Sequence, residues 1–201
     1  MSKLKKVHLL TGANLGDCKA TLAKARQMLE KRVGTVVKAS HLYETEPWGD
    51  VEQPNYLNQA LELATTLSPR QLLDATKSIE KELGRQRQTK WGARMVDIDI
   101  LFFAHLAISS TQLTIPHPHI HRRNFVLIPM LEIAPHKQHP IFKKTIQELY
   151  MESEDDLEVV MLEEWGWIQR LPYISETPVA VWSYQDQLFT RKFKEIVLIT
   201  L

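Results

Sequence analysis

Asp97 and Asp99 stand two residues apart in the run Val96 to Phe103, whose other members are all apolar. Read as a strand, this run sends both carboxylates to one face, because strand side chains alternate. Two like charges held side by side in apolar surroundings are costly unless a cation sits between them. A hard divalent ion such as Mg²⁺ suits that place, since it takes oxygen ligands and is often shared with substrate phosphates. Just upstream, the stretch from Gly84 to Arg94 carries Arg85, Arg87, Lys90 and Arg94 around Trp91. Guanidinium forks match phosphate oxygens, so these cations would face the same phosphates as the metal. The alternative reading of the same residues is a pair of structural salt bridges from the aspartates to those arginines.

The flanking elements must hold this loop and strand. Val7 to Leu10 reads as a first strand, followed by a glycine-rich turn, Thr11 to Asp17, that could cradle an anion or simply connect. Cys18, Leu22, Ala25, Leu29 and Val33 recur at helical steps, and Gly34 closes that helix. Val36 to Tyr43 is expected as a second strand and Tyr56 to Thr65 as a third, with Tyr56 and Asn58 on one face. A ring beside an amide suits a planar heterocycle, although at this spacing such a pair is more often an ordinary strand face. Ser68, Pro69 and Gln71 spell a capped helix start, with Leu72, Thr76, Ile79 and Leu83 inside and Gly84 at the end. Glu80 and Glu82 sit where a helix dipole does not favour them, so one of them is expected to have a task. After the central strand, Pro116-His117-Pro118 leads to His119, His121, Arg122 and Arg123, and Phe125 opens an apolar helix ended by Pro135. The alternating histidines could hold a transition metal, but contacts from His117, Arg122 and Arg123 to a polyphosphate explain them better. Lys144 to Tyr150 is expected as a short closing helix. The acidic run Glu152 to Asp156 reads as a solvated linker, with short strands expected near 158–164, 178–184 and 195–200.

The chain has 201 residues, a formal net charge of +1 and one cysteine, Cys18. That length fits one domain with an extension, residues 1–152 and then 153–201. A lone cysteine forms no internal disulfide and suits a reducing cytoplasm. The apolar run after Lys3, Lys5 and Lys6 is too short for a signal peptide or a membrane span. Near neutrality predicts no general attraction to nucleic acid or membrane, so anion binding must be local.

The order strand–helix–strand, strand–helix–strand suggests an α/β (α+β) ferredoxin-like sandwich, with an antiparallel or mixed sheet and a C-terminal extension of β character. Gly12 to Asp17, Tyr43 to Pro47, Tyr56-Leu57-Asn58, Arg85 to Phe103, and Pro116 to Pro118 with Arg123 to Pro135 occur in one order. Together they resemble the 6-hydroxymethyl-7,8-dihydropterin pyrophosphokinases of folate biosynthesis, over roughly residues 4–150. The resemblance implies transfer of the β,γ-diphosphate of ATP to the pterin hydroxymethyl group, with release of AMP. It implies two Mg²⁺ ions on Asp97 and Asp99, and Arg85 and Arg94 on the polyphosphate as catalytic residues. Tyr56 and Phe125 would sandwich the pterin, and Asn58, Thr45 and the backbone near Trp48 would read its edge. Glu80, Arg87, Trp91, Ile98, His117 and Arg123 would contact ATP, with Trp91 helping to seal the site. Departures are Ala13 where serine is commoner, Lys77 where some members carry glutamine, and a short loop between Arg85 and Trp91. The resemblance implies small-molecule partners, no nucleic acid or membrane, and a monomer or homodimer. Two rival readings remain. One is a nucleic-acid-binding module whose loop arginines touch phosphates while Trp91 stacks on a base; the other is an inactive relative serving as a subunit.

Overall fold

The computed structural model describes residues 3–47, 53–84 and 95–162. Residues 163–201, with the strands expected near 178–184 and 195–200, lie outside the described residues.

The central strand, β1 (Lys5–Ala13), is longer than its apolar run, so Gly12 lies within a strand and not in a turn. It sends Val7, Leu9 and Ala13 into one core and Leu10 into another on the opposite face. Helix α1 (Cys18–Arg32) buries Leu22, Ala25 and Leu29, as its periodicity predicts. Asp17 caps it, accepting from the Ala20 N–H at 2.9 Å. The anion considered for this helix start is therefore the protein's own carboxylate.

The expected second strand is two: β2 (Gly34–Ala39) and β3 (Leu42–Thr45), lying end to end along one edge of β4 (Tyr56–Thr65). Helix α2 (Pro69–Glu82) starts with the predicted capping box, Ser68 and Gln71 bonding each other's backbone N–H, and Gly84 follows its end at φ +91°. Strand β5 (Asp97–Phe103) returns beside β1. A short hairpin, β6 (Ile108–Ser109) with β7 (Thr114–Ile115), precedes a 3₁₀ turn over Ile120–Arg122. Helices α3 (Asn124–Ile133) and α4 (Ile146–Met151) follow, then β8 (Val159–Leu162).

The strand order is β5-β1-β4-β3-β8, with β2 also on β4, and every pairing among the described strands is antiparallel. Leaving β8 aside, this is the ferredoxin-like arrangement expected from the element order. Leu72 and Ile79 of α2 join the α1 side chains against Leu9, Leu61, Leu63 and Ile98 on one face. On the other, Val126, Leu127, Met130 and Ile133 of α3 cover Leu10, Leu101 and Phe102. The β1–β5 register shifts between His8 and Leu9, which pair with Phe102 and Ile100, so Leu101 is an extra residue. That bulge puts Leu101 and Phe102 both in the α3 core and leaves Asp97 and Asp99 in step on the same face.

The chain is expected to divide after residue 152, and the described residues beyond that point still pair with the sheet. The compact unit runs to residue 163, because β8 pairs with β3. The run Glu152 to Asp156 is no mere solvated linker either, since Ser153 is buried and Asp155 bonds to Asn124.

Candidate active site

Gly12 has Asn58 of β4 on one side and Asp97 of β5 on the other; Leu10 faces Asp99. A Cβ at Gly12 would sit 2.8 Å from Asn58 Oδ1, so the absent side chain keeps the floor of a cleft open. That cleft, of about 220 Å³, is bounded by Thr45, Glu46, Gln53, Tyr56 and Asn58 on one side. His117, His119, Arg123 and Phe125 bound the other, and Asp97 and Asp99 also line it. Asn58 is buried, and its Nδ2 donates to Thr45 Oγ1 at 2.9 Å, which fixes the amide. The Tyr56 hydroxyl donates to Gln53 Oε1 at 3.2 Å, and Asn14 Nδ2 donates to the same oxygen at 3.3 Å. The Arg123 guanidinium lies over the Phe125 ring, 5.5 Å from its centroid.

A second cleft of about 240 Å³ adjoins the first along the outer edge of β5. Leu73, Thr76, Lys77 and Glu80 of α2 form one wall, and Gln112 to Thr114 with His117 and Pro118 the other. Glu80 is buried and its Oε1 accepts the Ile98 N–H at 2.8 Å. It satisfies an edge donor that a further strand would otherwise take. Asp97, Asp99 and His117 are common to both clefts. Burial, and then the charges of Arg123 and His119, push His117 down to about 4 against the opposing pull of Asp97. It is therefore neutral near pH 7, and its Nδ1 accepts the His119 N–H at 3.4 Å, which leaves the proton on Nε2.

The arrangement offers two adjoining clefts, one of them against a helix, and two carboxylates common to both. The sequence matches, over residues 8–135, a family model described as 7,8-dihydro-6-hydroxymethylpterin-pyrophosphokinase (HPPK). The chain belongs to the HPPK family.

The 2-amino-4-hydroxy-6-hydroxymethyldihydropteridine pyrophosphokinase of Aquifex aeolicus is 40% identical over 147 residues, 73% of this chain and 91% of that protein. The Bacillus subtilis protein of the same name is 43% identical over 128 residues, 63% of this chain and 77% of its own. Among solved structures, wild-type Plasmodium falciparum HPPK-DHPS with pteroate is similar at a TM-score of 0.61 and 18% identity. The match covers 75% of this chain and 42% of that one, so this chain spans less than half of the HPPK-DHPS polypeptide, and the likeness speaks for the fold. The family, its enzyme class and the ferredoxin-like fold thus agree with the sequence reading.

Of the residues assigned from sequence to this HPPK-family chain, Thr45, Tyr56, Asn58, Arg123 and Phe125 gather at the first cleft. Glu80 and Ile98 line the second. Trp48, Arg85, Arg87, Trp91 and Arg94 lie outside the described residues. Lys77, at the position where some members of the family carry glutamine, lines the second cleft. Arg122 is exposed and lines neither, and His121 packs edge-on against Phe142 at 4.7 Å between centroids. Among the described residues no group of three or more His, Cys, Asp or Glu side chains is placed to hold a metal ion. Gln53, Glu46 and His119 line the first cleft without having been singled out for it. For Gln53 the available signal was its place just before Tyr56; for Glu46 there was none beyond its loop.

Proposed function

We propose that the first cleft takes 6-hydroxymethyl-7,8-dihydropterin and the second takes ATP, and that the chain transfers the β,γ-diphosphate between them as a step of folate biosynthesis. The hydroxymethyl oxygen attacks the β-phosphorus, the bond from that phosphorus to the α,β-bridging oxygen breaks, AMP leaves, and the hydroxyl proton is released. The observation that carries this reading is the sharing of Asp97 and Asp99 by both clefts. Attacking and leaving groups approach one phosphorus from opposite sides, so the charge must be managed at the junction.

Two oxygen-donor carboxylates on one face of β5 fit Mg²⁺, which keeps positions for phosphate oxygens and water. Asp97 and Asp99 would hold two such ions, which supply charge neutralisation of the triphosphate and of the departing AMP oxygen. The chain's own residues do the rest. Tyr56 and Phe125 hold the pterin ring between them, and Asn58, fixed by Thr45, reads its edge with main chain near Trp48. Glu80 keeps the β5 edge in place beside the nucleotide, where main chain at Ile98 and the side chain of Arg87 contact ATP. His117 donates from Nε2, and Arg123, Arg85 and Arg94 bind the polyphosphate as charge shifts along it. Trp91 would help to seal the site against water. We take the catalytic unit to extend past residue 152 into β8, with the remainder of residues 153–201 as an extension. No described helix is long and apolar enough to cross a membrane, and cytoplasmic placement belongs to this proposal, as does the absence of nucleic-acid or membrane partners. A monomer or a homodimer is consistent with it.

The test is AMP release from ATP and Mg²⁺ with and without 6-hydroxymethyl-7,8-dihydropterin. AMP formed only with pterin is the expected result. Folded protein that makes none would overturn the assignment in favour of a binding or regulatory role.

A further inference from the structure

Residues 153–162 lie beyond the stretch matched by the HPPK family model, yet they are tied to both sides of the first cleft. Asp155 Oδ2 accepts the Asn124 backbone N–H at 2.6 Å, and Asn124 Nδ2 donates to the Asp155 carbonyl at 2.6 Å. Asn124 begins α3, and its neighbours Arg123 and Phe125 are cleft walls. A helix start leaves N–H groups without intrahelical partners. Here the N-cap residue is Arg123, whose guanidinium has no acceptor, and α3 has no acidic residue in its first turn. Pro129 also lacks the N–H that would have bonded the Phe125 carbonyl. The first turn of α3 is thus short of bonds of its own, and the carboxylate that holds it comes from elsewhere in the chain.

Asp155 is itself held. Its N–H donates to Ser153 Oγ at 3.3 Å, and its Oδ1 accepts the Leu157 N–H at 3.3 Å. The chain then enters β8, where Val159 pairs with Thr45, the residue that fixes Asn58. We propose that Asp155 is a positioning residue for pterin binding, holding Arg123 and Phe125 on one wall while β8 holds Thr45 on the other. This rests on the reading of the first cleft as the pterin site.

The test is equilibrium binding by the full chain of 6-hydroxymethyl-7,8-dihydropterin, in the presence of Mg²⁺ and a non-hydrolysable ATP analogue, and of the analogue alone. Asp155→Ala should weaken pterin binding about five- to tenfold and leave nucleotide binding within about twofold of wild type. Asp155→Asn keeps an acceptor for the Asn124 N–H and should bind pterin within about twofold of wild type. Ser68→Ala removes the cap of α2 at a distance from the cleft, and should lower the melting temperature with pterin affinity unchanged. Folded Asp155→Ala with wild-type pterin affinity overturns the proposal, as does an equal pterin loss in Ser68→Ala, which would mean a general loss of stability. If Asp155→Ala does not fold, Asn124→Ala decides: a pterin-specific loss of about threefold supports the brace, and unchanged affinity overturns it. Wild-type protein that binds nucleotide but no pterin would overturn the cleft assignment itself, and the proposal with it, whatever Asp155 does.

Discussion

Asp97 and Asp99 are half-buried carboxylates on one strand face, shared by two clefts, and in the proposed reaction they hold the metal charge that the triphosphate requires. Asp97→Ala or Asp99→Ala should therefore lower kcat by at least about 10³-fold while leaving the circular dichroism spectrum unchanged. Turnover close to wild type in either variant would remove the metal-pair assignment. Gly12 acts by its lack of a side chain. Its φ is ordinary for a strand, so the constraint is space: a Cβ would stand 2.8 Å from Asn58 Oδ1. Gly12→Ala must push that amide off the Thr45 hydroxyl, and should weaken pterin binding about tenfold with nucleotide affinity kept. Titration of each ligand separately checks this, and equal losses for both would point to general distortion of the floor.

Among the elements, the broken strand β2–β3 shows where sequence reading and structure part. Both pieces pair with β4, and the jog at Ser40 keeps its bonds by substitution. Its N–H donates to the Ala60 carbonyl at 2.9 Å and its Oγ accepts the Ala60 N–H at 3.0 Å. The jog sets Tyr43 and Thr45 opposite Asn58 and Tyr56, which is how Thr45 reaches the cleft. Apolar alternation carries no sign of it, because the interruption is made by hydrogen bonds to a strand distant in sequence. At the other end of β2, Gly34 has φ +156°, and a Cβ there would lie 2.1 Å from the Ala64 carbonyl oxygen. Main chain cannot turn aside as a side chain can. Gly34→Ala should cost about 3 kcal/mol in urea unfolding, and a loss below about 1 kcal/mol would show that β2 can slide on β4.

For the molecule as a whole, folding lowers the proton affinity of five described histidines, most strongly at three of them. Burial is the main cause at His8, His117 and His139, each pushed down to about 4. Glu62 opposes the shift at His8, while Lys137 adds to it at His8 and at His139, where the charge of His121 contributes as well. His139 also uses Nδ1 to accept the N–H groups of Ile141 and Phe142, bonds that a proton there would break. Since the folded values are lower than the unfolded value near 6.5, the unfolded chain takes up protons first as pH falls. Stability from these groups is intact above about pH 6.5 and is lost as pH drops toward 4. Urea unfolding at pH 7 and pH 5 should show the fall, with up to about 1.4 kcal/mol per pH unit for each histidine. Asn in place of His139 keeps an acceptor that does not titrate, so His139→Asn should flatten the slope by about one proton. An unchanged slope would show that His139 does not contribute.

What the sequence determined by itself was everything set by local spacing. The two-residue step of Asp97 and Asp99 put both on one face, and the Ser68–Gln71 box and Gly84 bounded α2 as expected. The Tyr56–Asn58 step set both residues on one cleft. Helical steps found the buried face of α1. Only the tertiary structure decided what depends on pairing across the chain. It showed that Gly12 is floor and not turn, that β3 is a strand of its own, and that Glu80 serves the Ile98 edge. It buried His117 within reach of the Arg123 charge, which lowers its pKa, and bonded Asp155 to the start of α3. Each of these is a relation between residues far apart in sequence, and side-chain periodicity records only which way a residue points, not what it meets there.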